Sequence, residues 1–267
     1  MCTLAIYYRV FPDYPVVVAA NRDEYLDRPA TAPAVLNDDP RVVGGQDLRA
    51  GGTWLGVNEH GVVAGLLNRR TADYGPADPN LRSRGLLCLD ALRHRDARAA
   101  ARFLAAQPAA AYNAFNLLVA AAEAAFVTYN RGGALEQTAL APGFHLLTNA
   151  DVNDFECPRI SRSFGRFAEL ANDRDFARDP LARRDDLARL LADHSTQLDP
   201  RNGRPNSLCM HLGDYGTRSA SLIFIARDGR TVSHFFAAGP PCRTAFAPAL
   251  APDADGSSPR DASTPER

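Results

Sequence analysis

The chain contains no lysine, and all 30 of its basic residues are arginines. Schiff-base chemistry, a lysine general base and the lysine of a phosphate-cradling GxxxxGK[ST] loop are therefore excluded. Cysteine is sparse and odd in number: Cys2, Cys88, Cys157, Cys209 and Cys242 are scattered, with no CxxC pair. That pattern argues against a disulfide framework and against structural zinc, so free thiols and no metal are expected. No apolar run approaches ~18 residues, which leaves no candidate membrane span. The start, Met1-Cys2-Thr3-Leu4, lacks the basic and then long apolar pattern of a secretion signal, and a cytoplasmic location is expected. Charge of either sign is not in excess, because 30 basic residues face 31 acidic ones, so no nucleic-acid partner is expected.

What is present reads as a globular protein. Of 267 residues, 46% are hydrophobic and 23% charged, which rules out wholesale disorder and allows a substantial core. Exclusive use of arginine, with abundant Ala, Asp and Pro, points to a GC-rich, bacterial type of genome. One domain is expected over residues 1–247, followed by a disordered tail, 248–267, rich in Pro, Asp, Ser and Ala.

β-Rich runs at Leu4 to Val10 and Val16 to Asn21 flank Phe11-Pro12-Asp13-Tyr14-Pro15, which predicts a hairpin. A Pro-rich loop is read over Arg28 to Pro40. A second hairpin is predicted around Glu59-His60-Gly61, and a third over Asn116 to Ala122 and Ala125 to Asn130, where the alanines also permit helix. Ser83 to Gln107 reads as one broken helix or two. Ile160, Phe164, Phe167 and Leu170 recur on one helical face, and Asp185 to His194 is a second amphipathic helix. Strands follow at His145 to Asn149, Leu208 to Leu212, Ser219 to Ala226 and Thr231 to Ala237. Strands in antiparallel pairs and helices in sequential pairs give an α+β class, with hairpin sheets inside and helices outside.

Several residues carry candidate chemistry. Removal of Met1 would leave Cys2 with a nucleophilic thiol and a free α-amine on one residue, a thiol near pKa ~8.5 beside an amine near ~7.7–8.0. A small buried side chain opening an edge strand is the plainer reading of Cys2. Asn21-Arg22-Asp23-Glu24 concentrates polar groups where an apolar strand ends; a guanidinium there would lower a thiol's pKa and a carboxylate would orient an amine, or the segment is a solvated turn. Asn68 and Asn149 end apolar strands, where side-chain amides serve either as oxyanion donors or as turn residues. Trp54 is read as core, Arg69 and Arg70 as an anion-attracting pair or a solvated loop, and Cys209-Met210-His211 as a buried strand lacking further metal ligands.

Taken together, Met1-Cys2-Thr3-Leu4, Asn21-Arg22-Asp23-Glu24 and Gly51-Gly52-Thr53-Trp54-Leu55-Gly56-Val57-Asn58 resemble the NRDE family, the transport and Golgi organisation protein 2 family, over roughly residues 1–245. The resemblance implies an N-terminal-nucleophile (Ntn) hydrolase-like fold, a four-layer αββα sandwich of two antiparallel sheets between helices. A more distant likeness links the chain to bile salt hydrolases and penicillin V acylases, cysteine enzymes that cleave amides. It implies a site of Cys2 as nucleophile, Arg22 and Asp23 beside it, Asn68 and Asn149 as the amides near the reacting carbonyl, and Arg218 as a late arginine. The acylases separate their arginine and aspartate by two residues, whereas Arg22 and Asp23 are adjacent and should face opposite sides of a strand. The function implied is hydrolysis of a linear amide in a small or acylated substrate, with no cofactor. The alternative is a non-enzymatic haem- or lipid-binding or trafficking protein, with Cys2, His60 or His211 as a metal contact.

Overall fold

The computed structural model describes residues 2–69, 77–200, 203 and 205–250. The first hairpin is β1 (Thr3–Tyr8) and β2 (Val16–Tyr25). β3 (Ala34–Asp38), β4 (Arg41–Gln46), β5 (Thr53–Asn58) and β6 (Val63–Asn68) continue as a meander. Two helices, α1 (Arg84–Ala91) and α2 (Ala97–Ala105), precede β7 (Phe115–Ala121), β8 (Ala124–Asn130), β9 (Leu135–Ala139) and β10 (Gly143–Leu147). Helices α3 (Pro158–Asn172), α4 (Arg174–Arg178) and α5 (Arg184–Leu191) lead into β11 (His211–Leu212), β12 (Tyr215–Ile225), β13 (Val232–Ala237) and β14 (Ala247–Pro248).

The strands form two seven-stranded antiparallel sheets. One has the order β10-β1-β2-β12-β13-β14, with β11 on β12; the other runs β3-β4-β5-β6-β7-β8-β9. Alternation along the strands sorts the core into layers. Leu4, Ile6, Val16 and Val18 of the first sheet meet Leu55, Val57, Val63, Leu118 and Val127 of the second. On the outer face of the first sheet, Ala5, Tyr7, Val17 and Ala19 pack with Ile160, Phe167, Phe176 and Leu187 of α3, α4 and α5. On the outer face of the second, Ala64, Leu117 and Val119 pack with Leu87, Ala91 and Leu104 of α1 and α2. Both sheets are thus apolar on both faces, and the predicted αββα sandwich is the architecture. Gly65 lets the sheets approach: a Cβ there would lie 2.3 Å from Leu4 Cδ1.

The differences from the sequence reading fall at sheet edges. The expected loop over Arg28 to Pro40 contains β3, because an edge strand tolerates flanking prolines that cannot donate. β9 has four exposed residues of five and no apolar alternation to reveal it. The strand expected over Leu208 to Leu212 is reduced to two residues, and Leu208, Cys209 and Met210 are buried in irregular backbone. Ala247–Pro248, at the start of the expected tail, pairs with β13, while 251–267 lie outside the described residues.

His234 on β13 pairs with Ile223, is 4% exposed, and burial pushes its pKa down to about 4. The unfolded chain takes up this proton near pH 6.5 and the folded chain only near 4, so stability is full above about 6.5 and falls as pH drops through that window. The loss expected across it is on the order of 3 kcal/mol. Denaturant titrations of wild type and His234→Leu at pH 7 and pH 4 check this; equal pH slopes for the two would contradict it.

Candidate active site

The site grows from the register of β1, β2, β10 and β12. Leu4 pairs with Leu147 and Thr3 with Asn21, so the next positions align Cys2 with Asn149 on one side and Arg22 on the other. Arg22 in turn pairs with Ser219. Paired residues share a face, and this row belongs to the face of Leu4 and Ala20, directed between the sheets. One step along, Thr148, Thr3, Asn21 and Ala220 belong to the helix-facing row. Cys2 is half-buried and packs at the rim of the inter-sheet core, as do Trp54 and Val152.

Asn21, Arg22 and Asp23 are consecutive residues of one strand, and alternation splits their roles. Arg22 is 5% exposed; its guanidinium lies 4.3 Å from the Trp54 ring centroid and donates to Asp47 Oδ2 at 3.2 Å. Arg28 reaches the same oxygen at 2.6 Å. Burial opposes ionisation of Asp47, but hydrogen bonds from Arg28 and the Ala50 amide, with the two guanidinium charges, hold its carboxyl below the ordinary range. Arg22 is therefore fixed by a carboxylate and an aromatic face. Asn21 points the other way, and its amide donates to the carbonyls of Leu191 and Leu208 at 2.9 Å each, tying β2 to the end of α5.

Asp23 also turns toward the helices. Its carboxylate accepts from Thr217 Oγ1 at 2.7 Å and from Arg159 Nη1 at 3.2 Å, and both Asp23 and Arg159 are nearly inaccessible. Arg159 further donates to Thr3 Oγ1 at 2.8 Å and to the Asn206 carbonyl at 3.2 Å, and lies against Met210 Sδ at 2.8 Å. The Asp23 atom that meets Cys2 is the carbonyl, which accepts from the thiol at 3.7 Å and from the Tyr215 hydroxyl at 3.0 Å. The carboxylate expected to orient the α-amine also accepts from Arg159 and Thr217. Arg159 was legible only as an anomaly: it lies four and eight residues before Ser163 and Phe167 on a buried helical stripe.

Asn149 donates through Nδ2 to the Asn68 carbonyl, so the two sheets meet there; its buried Oδ1 has no hydrogen-bond partner among the described residues. Asn68 contributes differently from expectation. It pairs with Phe115 on the alternation of Ala64 and Leu66, which is the helix-facing side, and what it offers Asn149 is backbone. The amide on the inner face of that strand pair is Asn116, opposite Leu67. Its Nδ2 donates to the Thr148 and Ala150 carbonyls at 3.0 and 2.6 Å, gripping the backbone on both sides of Asn149. Arg69 bonds Asn116 Oδ1 at 3.0 Å and Asp151 at 2.6 Å, and Arg131 meets Asp151 at 2.7 Å. The expected cationic partner Arg70 lies outside the described residues.

Arg218 is the extra residue at the irregularity of β12 between Thr217, opposite Asp23, and Ser219, opposite Arg22. It is adjacent to the row in chain position, and its Nε is buried without a hydrogen-bond partner among the described residues. His60 sits in the β5–β6 turn, near Asp228 and Arg230, at the end of the sheets opposite Cys2. His211 gathers with His194, Cys209 and Cys242.

Burial pushes the Cys2 thiol up and the Asp23 charge adds to this, while the hydrogen bond to the Asp23 carbonyl and the Arg22 charge pull it down. Such a thiol is protonated at neutral pH and becomes a nucleophile when an adjacent base takes its proton. Among the described residues, no helix is long and apolar enough to cross a membrane.

Comparison with known proteins agrees with this architecture. Solved structures of similar fold include a penicillin V acylase from Agrobacterium tumefaciens, at 15% identity and TM-score 0.59, covering 89% of this chain and 83% of the acylase. The Caenorhabditis elegans orthologue of N-acylethanolamine-hydrolyzing acid amidase gives 14% identity and TM-score 0.52, covering 83% and 92%. These establish an Ntn-hydrolase-like fold. Among sequence relatives, the Bos taurus Transport and Golgi organization protein 2 homolog is 32% identical over 246 residues, covering 81% of this chain and 84% of the relative. The Homo sapiens homolog is 27% identical over 239 residues, with the same coverage. The family model described as Transport and Golgi organisation 2 matches residues 1–235, and the chain belongs to that family.

Proposed function

We propose that the chain is an N-terminal-cysteine hydrolase of linear amide bonds, acting once Met1 has been removed. The observation that carries this reading is the row Asn149, Cys2, Arg22, which sets a thiol between an amide and an anchored guanidinium on the face between the sheets. The acylase and amidase names of the two structural neighbours support it.

The α-amine of Cys2 takes the thiol proton as sulfur attacks the carbonyl carbon. Asn149 Nδ2, released from the Asn68 carbonyl, donates to the developing oxyanion. Collapse breaks the C–N bond, and the proton passes from the ammonium to the leaving amine. Water then attacks the thioester with the α-amine again as base, giving a carboxylic acid and the free thiol. Arg22 offsets negative charge on sulfur or on a substrate carboxylate. Asn116 and Asp23 hold the two strand ends in register.

Intact-mass analysis should show loss of Met1, and an electrophilic acyl probe should add at Cys2 in preference to the other four thiols. Mass mapping of the adduct on wild type and Cys2→Ala is the measurement. Labelling spread over the five cysteines, or active protein that retains Met1, would defeat the proposal.

A further inference from the structure

We infer that His194, Cys209, His211 and Cys242 form a structural zinc site. They come from three separate segments: the chain after α5, the irregular stretch leading into β11, and the turn that follows β13. One ligand atom from each lies within 4.8 Å of the other three. The Cys209 and Cys242 sulfurs are 3.5 Å apart, His211 Nε2 is 3.3 Å from Cys242 Sγ, and it is 3.8 Å from Cys209 Sγ. A tetrahedral zinc with Zn–S of ~2.3 Å and Zn–N of ~2.0–2.1 Å sets its ligand atoms roughly 3.3–3.8 Å apart, so Cys209, His211 and Cys242 already have the spacing of three ligands, and His194 completes the set by closing in about 1 Å.

The surrounding hydrogen bonds favour the same arrangement. His194 Nδ1 meets the Cys209 carbonyl at 3.2 Å; with the proton there, Nε2 keeps its lone pair for the metal. The carbonyl also accepts from Ser207 Oγ at 2.8 Å, which fixes it in place. Two sulfurs and two imidazoles match zinc in softness and geometry, and four protein ligands leave no open position, which marks a structural site. Both cysteines bind as thiolates, releasing two protons to solvent, and the resulting unit carries no net charge. The lack of paired CxxC spacing hid the grouping, because His194 and Cys242 reach Cys209 and His211 across the fold rather than along the sequence.

The site would brace the candidate active site without touching it. Between two of the ligands, the Met210 amide donates to Thr217 Oγ1 and its carbonyl accepts from the Thr217 amide, both at 2.9 Å, while its sulfur lies against Arg159. Thr217 and Arg159 are the residues that hold the Asp23 carboxylate.

The full chain, produced with zinc and purified under reducing conditions, should carry about one zinc per chain by elemental analysis. Loaded with cobalt(II) instead, it should show tetrahedral ligand-field bands and thiolate charge transfer. Cys242→Ser and His211→Asn change a half-buried and an exposed side chain, and each should weaken zinc binding at least ~100-fold in a chelator competition. The cobalt spectrum of the wild type decides the matter should a variant not fold. Zinc well below one per chain, an octahedral cobalt spectrum, or a Cys209–Cys242 disulfide in protein kept reducing would overturn the inference. None of these readings depends on amide hydrolysis.

Discussion

Alanine at Cys2 is expected to leave a folded protein whose turnover of a linear N-acyl amide falls by on the order of 10⁴–10⁶, the scale seen when a nucleophile is removed. Fold should survive because the side chain is small and half-buried at the core rim, so the packing lost is worth only about 1 kcal/mol. The wild-type rate should rise with pH as the α-amine deprotonates near ~7.7–8.0, because only the neutral amine accepts the thiol proton. Release of p-nitroaniline from a panel of N-acyl anilides, followed for both proteins across pH, measures both effects. Equal rates for wild type and Cys2→Ala would remove the nucleophile from the mechanism.

Replacing Arg159 by methionine should cost about 3–5 kcal/mol of stability, the range for breaking a buried ion pair on one side. The Arg159 and Asp23 side chains are 2% and 0% exposed, and water cannot readily take the arginine's place beside the carboxylate. The same change removes donors to Thr3 and to the Asn206 carbonyl, so the ends of β1, β2 and α3 lose a common tie. For a domain of this size the melting temperature should drop by roughly 10 °C or more. Asp23→Asn placed on top of Arg159→Met should recover part of the loss, because it removes the buried charge. A melting temperature for Arg159→Met within about 2 °C of wild type would show that the pair contributes little.

How much of this was legible follows from the range of each signal. The hairpin β1–β2, the paired strands β5–β6 and the stripe of α3 depend on neighbours in sequence, and their periodicities were readable. Cys2, Arg22 and Asn149 could be named because each ends or precedes an apolar strand. Alternation had already implied that Arg22 and Asp23 face opposite ways. It could not supply Arg159, 136 residues from Asp23, or Asn116, which grips the chain around Asn149 from the other sheet. Asn68 was readable as polar but not as facing the helices, since that depends on the register with β7. The same distance effect hid His194 and Cys242 from Cys209.

The alternation within β2 makes this candidate site intolerant of length changes in one particular stretch. Deleting a single residue between Val16 and Ala20 would rotate everything downstream by half a turn, aiming the guanidinium of Arg22 at the helical layer and the carboxylate of Asp23 at the sulfur. Substitutions there trade one hydrocarbon for another, whereas a frame-preserving three-base loss would exchange the cation and the anion. Selection on that stretch should therefore guard its length more tightly than its spelling.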